Sequence, residues 1–170
     1  LARRHTVCPF ELSLDLSETA DLVVGDYNYL FDPRVFLRRH FQTPGRYLAL
    51  VDEAHNLPDR AREMHSAAIS KRGVLAARRA VATEMKGLRS ALGRLNRWYL
   101  DSAKEAGETR AVVETEVPPD LLELVEDVHS ELEQFLDRTP DADEAVWELY
   151  YAAATFLRTA TAFSERYRYC

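Results

Sequence analysis

The sequence predicts an α/β segment over residues 1–60, two short parallel strands joined by a crossover helix, and then a mostly α-helical bundle over residues 61–170. Three observations carry this reading. The runs Ala20–Gly25 and Tyr47–Val51 are continuously apolar rather than alternating, as strands covered on both faces are. Between them lies an amphipathic stretch opened by Asp32-Pro33, which suits the helix of a right-handed crossover. Beyond about Asn56 the apolar residues recur at helical spacing over long stretches.

In chain order, Cys8-Pro9 begins a turn, and Phe10, Leu12, Leu14 and Leu16 start a short helix or an extended piece. Asp26–Leu30 reads as a loop. Asp32 then caps, and Pro33 opens, a helix whose apolar face is Val35, Phe36, Leu37 and Phe41 and which stops around Thr43-Pro44-Gly45. Two strands make no stable sheet, so further strands are expected in a longer protein. The first residue, Leu1, points the same way. Ser70 caps a helix reaching about Tyr99, with Val74, Val81, Met85, Leu88, Leu92, Leu95 and Tyr99 on its apolar stripe. Gly87 and Gly93 weaken it locally.

A polar break over Ala106–Glu116 precedes a second helix carrying Leu121, Val125, Val128, Leu132 and Phe135. Thr139-Pro140 starts a third, with Asp141, Asp143 and Glu144 near its N-terminus and Val146, Leu149, Ala153, Phe156, Ala160 and Phe163 turned inward. Three such helices make an up-down-up bundle.

Composition narrows the function classes. With 46% hydrophobic and 29% charged residues, the chain sits in the ordinary globular range, and no apolar run is long enough for a membrane span. Two cysteines, Cys8 and Cys170, argue against a disulfide scaffold and for a reducing, cytoplasmic setting. The net charge of −6 hides a split. From Arg62 to Arg110 there are 11 basic and 5 acidic residues; from Ala111 onward there are 4 basic and 14 acidic. The first segment suits a phosphate backbone and the second repels it. A plainer reading has two oppositely charged helix faces attracting each other.

The sharpest local signal is Asp52-Glu53-Ala54-His55, directly after the apolar run ending at Val51. A parallel strand emptying into two acids sets carboxylates at the sheet edge where such folds bind ligands. In a nucleotide site Asp52 would hold Mg²⁺ through water, and Glu53 would orient or deprotonate the attacking water. His55 fits a coupler better than a base. The plain alternative is a pair of solvated acids capping the next helix. A metal hydrolase using Asp52, His55 and His65 lacks the His-Glu-x-x-His spacing that two helical ligands need.

With those acids in place, three stretches form an ordered set: Cys8-Pro9-Phe10, Ala20 through Pro33 (with Gly25-Asp26-Tyr27-Asn28-Tyr29 at its centre), and Leu50 through Leu57. This set resembles the superfamily 2 iron–sulfur DNA helicases, the family of the xeroderma pigmentosum group D and DinG-type enzymes. The resemblance covers residues 8–57. It implies that residues 1–60 hold the end of an iron–sulfur region and part of a RecA-like motor domain, and that residues 61–170 stand where the family inserts a helical arch.

It further implies ATP hydrolysis driving 5′ to 3′ movement on single-stranded and forked DNA, with no membrane partner. Asp52 becomes a Mg²⁺ ligand and Glu53 the catalytic carboxylate, with His55 beside them. Cys8 becomes the last of four ligands to a [4Fe–4S] cluster, and Tyr27, Asn28 and Tyr29 a loop near the DNA strand. Arg89 and Arg94, with Arg78, Lys86 and Arg97, are candidates for phosphate contact.

The departures carry equal weight. No Gly-x-x-x-x-Gly-Lys-Ser/Thr occurs, so nothing here cradles the β- and γ-phosphates. Three cluster cysteines and the second motor domain are absent too. The chain is therefore expected to be an inactive internal piece that works with the remainder of the motor domains in a monomeric parent. The rival expectation is a non-enzymatic helical module whose acidic end binds a protein.

Overall fold

The computed structural model describes residues 5–41, 45–107 and 112–170, in two compact units, Leu1–His65 and Ser66–Cys170.

In the second unit, Ser70 sits in extended backbone and its Oγ accepts the Gly73 N–H at 3.0 Å, starting α5 (Lys71–Ala80). The first unit's helices are α1 (Pro9–Ser17), α2 (Asn28–Phe31), α3 (Arg38–Phe41) and α4 (Leu57–Met64). After α5 come α6 (Lys86–Glu105), α7 (Pro119–Arg138) and α8 (Glu144–Thr161), the last begun by Asp143, whose Oδ1 accepts the Ala145 N–H. Helix α5 packs on α6 and α8, and α7 on α6 and α8, so the four close into a ring around one core.

That core is built from Val74, Ala77 and Val81, from Leu88, Leu92 and Leu95, from Val125, Val128 and Leu132, and from Val146, Leu149 and Ala153. Met85, Tyr99, Phe135 and Phe156, read as core positions in the sequence, are half-buried at its margin.

The first expected helix does not run through. It breaks at Val81–Met85, so the bundle has four helices rather than three. The break leaves the last carbonyls of α5 without helical partners. Arg89, in the first turn of α6, reaches back and donates from Nη1 to the Arg78 and Val81 carbonyls at 2.9 and 2.8 Å. Beyond α8, Tyr169 and Glu114 exchange backbone hydrogen bonds of 2.9 and 3.0 Å, an isolated antiparallel bridge tying the tail to the segment before α7. The expected break over Ala106–Glu116 includes residues 108–111, outside the described residues.

The first unit corrects the α/β expectation. Among the described residues there is no β-strand, and hence no RecA-like pair of strands with a crossover helix. Residues 20–25 and 47–51 run as irregular chain, with Leu22, Val24, Leu48 and Leu50 at 80, 90, 89 and 90% exposure. A strand is held by the backbone groups of a neighbouring strand, and among the described residues no strand pairs with these two segments. The helix expected from Asp32-Pro33 is also displaced. Asp32, buried, accepts the Arg34 backbone N–H and grips its guanidinium at 2.7–3.2 Å, which folds the chain into a turn. Only the single turn α3 follows, and its expected stop at Thr43-Pro44 falls on residues 42–44, outside the described residues. Asp32 and Met64 are the only buried residues described in this unit.

The two units should therefore answer mutation differently. Leu92→Ala, at a fully buried site, should cost about 2–5 kcal/mol in chemical denaturation. Leu50→Ala should change stability by less than about 0.5 kcal/mol. A large cost at Leu50 would mean that the 47–51 run is covered after all.

Burial pushes the Tyr99 phenol up to about 12, with a smaller contribution from Tyr169. Its hydroxyl donates to the Ile69 carbonyl. Because the folded value lies above the unfolded one, the neutral phenol favours folding at every pH below about 10, and that contribution disappears as pH rises through about 12. Stability measured across this alkaline window should fall, and Tyr99→Phe should make the fall shallower; an unchanged slope would remove Tyr99 as its source.

Candidate functional site

The acid pair lies on a tight turn. Asp52 and Glu53 precede a 3-10 turn, Ala54–Asn56, which leads directly into α4 with Pro58 in its first turn. Glu53 has φ 50°, ψ 34°, the left-handed region, which costs a non-glycine residue roughly 1–2 kcal/mol. The Glu53 N–H is partly compensated by Asp52 Oδ1, which accepts it at 2.8 Å. His55 Nε2 lies 3.3 Å from Glu53 Oε2, so the three candidate residues form one chain of contacts. Glu53 and His55 side chains are 65% and 74% exposed, and Asp52 is exposed as well.

This arrangement fits a hydrated Mg²⁺ held by one carboxylate, since Mg²⁺ keeps several waters of its own. It is not a preformed all-protein cage: among the described residues no three His, Cys, Asp or Glu side chains converge on a metal position.

The structure brings Tyr27 toward the same helix. The Arg60 guanidinium on α4 is pushed above its ordinary value first by its hydrogen bond to Glu63, with a smaller contribution from Tyr27. Tyr27, Asn28 and Tyr29 are half-buried; the Asn28 N–H is donated to Asp26 Oδ1 at 2.8 Å, which starts α2. Cys8 precedes α1; its thiol is exposed and makes no cap bond, and its carbonyl accepts the Leu12 N–H. A [4Fe–4S] cluster needs four thiolates and the chain has two cysteines, so these residues do not fit that group unaided.

In the second unit Arg89 is half-buried in its cap, while Arg94 is 46% exposed and pairs with Asp127 at 2.9 Å. The sequence reading missed the cap of Arg89, the Arg34–Asp32 pair and the grip of Arg39 on Glu11 and Asp15. Only the last had a signal, two acids four apart on one helix face.

Comparison with known proteins bears on this segment. The DEAD_2 family model matches residues 1–74. The Fanconi anemia group J protein homolog of Gallus gallus is 29% identical over 118 residues, 64% of this chain and 9% of that protein. The regulator of telomere elongation helicase 1 homolog of Caenorhabditis elegans is 39% identical over 57 residues, 34% of this chain and 6% of its own length. The helicase subunit XPD of general transcription and DNA repair factor IIH from Dictyostelium discoideum is 33% identical over 54 residues, 32% of this chain and 7% of that one. Partial homology of this kind supports assigning the chain to the superfamily 2 iron–sulfur DNA helicases.

The likeness to these helicases is partial and of low identity, and the chain spans under a tenth of the relatives' lengths. A match covering 64% of the chain cannot fit within the first unit, so this likeness enters the helical unit. No solved structure matches. The relatives' names attach them to telomere elongation and to transcription and DNA repair, work on nuclear DNA, which corrects the cytoplasmic expectation. Cysteine number reports redox setting, and nucleus and cytosol are both reducing.

The two arginines separate by experiment. Arg89→Ala leaves the Arg78 and Val81 carbonyls at the end of α5 without their charged donor and should cost about 1–3 kcal/mol in denaturation. Arg94→Ala removes an exposed pair and should cost under about 1 kcal/mol. Equal costs would contradict the capping role.

Proposed function

We propose that this chain is part of an ATP-dependent DNA helicase in which Asp52 and Glu53 serve nucleotide hydrolysis. Movement along single-stranded DNA, 5′ to 3′, and separation of forked duplex are the work that hydrolysis would drive. The observation supporting this is the exposed acid pair on a turn within the residues that the family model covers.

Mg²⁺, when bound with ATP, supplies charge neutralisation of the phosphates. Asp52 would be the residue to hold it, with one oxygen already steadied by the Glu53 N–H. Glu53 orients the attacking water and accepts its proton, help worth about 10²–10⁴ in rate. His55, within reach of that carboxylate, links the acid to neighbouring groups rather than taking the proton itself. Tyr27, Asn28 and Tyr29 contact the DNA strand, where base stacking on tyrosine is worth about 1–3 kcal/mol per base. Arg94 adds phosphate contact and Arg89 a smaller share, because its guanidinium is engaged in the bundle. Cys8 joins a cluster only alongside thiolates that this chain does not contain.

The test uses the longer protein that carries this segment. Glu53→Gln should lower ATP turnover by about 10²–10⁴ while nucleotide binding persists, because binding relies on a phosphate loop and hydrolysis on the base. The 170-residue chain alone should release no phosphate from ATP. Full turnover in the Glu53→Gln protein would take Glu53 out of the mechanism, and Glu53-dependent turnover by the chain alone would refute the need for that loop.

A further inference from the structure

The bundle carries a second surface that hydrolysis does not use. Four rings form a continuous strip across α7 and α8. His129 stacks on Tyr150 with centroids 4.8 Å apart and planes at 16°. Trp147 meets Tyr150 edge-on at 6.1 Å and stacks over Tyr151 at 5.8 Å. Tyr151 is 60% exposed, at the solvent end of the strip.

Carboxylates flank it on both helices. Glu126 and Glu133 lie a helical turn to either side of His129, and both are exposed. Glu144 and Glu148, also exposed, stand one turn before Trp147 and Tyr151. None of the four forms an ion pair among the described residues, whereas Asp127, on another side of α7, is paired with Arg94.

We propose that this strip docks a basic, arginine-bearing protein segment. A guanidinium stacks on indole and phenol faces, and its fork is matched by carboxylates on either side. Single-stranded DNA could stack on the same rings, but its phosphates would meet four carboxylates. The charge therefore selects a cationic peptide over a nucleic acid. The inference stands apart from the helicase reading, since it uses neither Asp52 nor Glu53.

Fluorescence anisotropy on the full chain tests it with three labelled probes: an alternating Arg-Gly peptide, its Gln-Gly counterpart, and oligo-thymidylate. The arginine peptide should bind, more weakly as salt rises, while the other two should not. Tyr151→Ala and Tyr151→Leu should each weaken binding about tenfold, with far-UV circular dichroism unchanged. The pair E126K and E133K should abolish it. The pair E116K and E165K makes the same net charge change off these helices and should leave affinity within about twofold. Oligo-thymidylate binding that depends on Tyr151, equal loss from both reversed pairs, or full affinity in Tyr151→Leu would each overturn the proposal.

Discussion

Exclusion of water from one apolar seam holds the folded half of this chain together. Leu88, Leu92 and Leu95 on α6 meet Val125, Val128 and Leu132 on α7, and all six are at 0–1% exposure. Each side chain so buried contributes about 1.5–3 kcal/mol relative to exposure, and the seam continues onto α5 and α8. Everything else in the bundle is arranged by it. The break at Val81–Met85 is tolerated because Val74, Val81 and Leu88 still reach the core on both sides of it. The aromatic strip keeps its geometry because Val146, Leu149 and Ala153 fix α8 from beneath.

Among the described residues the first unit has no such seam, and this explains where the sequence was legible. Helical burial is a local matter of spacing, so the residues facing inward could be read from the chain: Val74, Leu92, Val128, Leu149 and their neighbours stand where the stripe put them. The strands could not be read in the same way. Ala20–Gly25 and Tyr47–Val51 have strand composition, yet a strand is completed by the groups beside it. The Asp32-Pro33 signal failed for another reason: Asp32 found a bidentate partner two residues on, and that contact outcompeted a helix cap. The break at Val81–Met85 left no mark that periodicity can detect, since the stripe runs across it unchanged; what stabilises it is the reach of Arg89, a tertiary contact.

The candidate site was legible in its residue types and order and not in its backbone. Asp52, Glu53 and His55 were singled out as adjacent side chains, and the structure joins them through a left-handed residue at Glu53. Strained conformations of this kind cluster where side-chain direction matters, because neither an α nor a β conformation projects the carboxylate the same way. Here the strain is local and lightly supported, with both acids in solvent. An exposed carboxylate is a weak base and a weak metal ligand. In the proposed role, a partner over Asp52 and Glu53 would have to remove water as well as bring phosphates, and the chain lacks the glycine-rich loop that would do the second.

The charge split resolves along the same lines. Opposite charge on α6 and α7 is partly spent within the bundle, as Arg94 and Asp127 show, and Arg89 is committed to carbonyls. A helix whose arginines are engaged in this way attracts phosphate less than its count of basic residues suggests. Unpaired acids on α7 and α8 flank the exposed ring of Tyr151 and the half-buried rings of His129, Trp147 and Tyr150. An acidic aromatic face repels a polyanion and attracts a polycation at every ionic strength where charge matters. The bundle's electrostatics thus suit the cationic partner proposed for it, and under the proposed helicase reading a DNA strand would instead meet the aromatic and amide side chains of Tyr27, Asn28 and Tyr29.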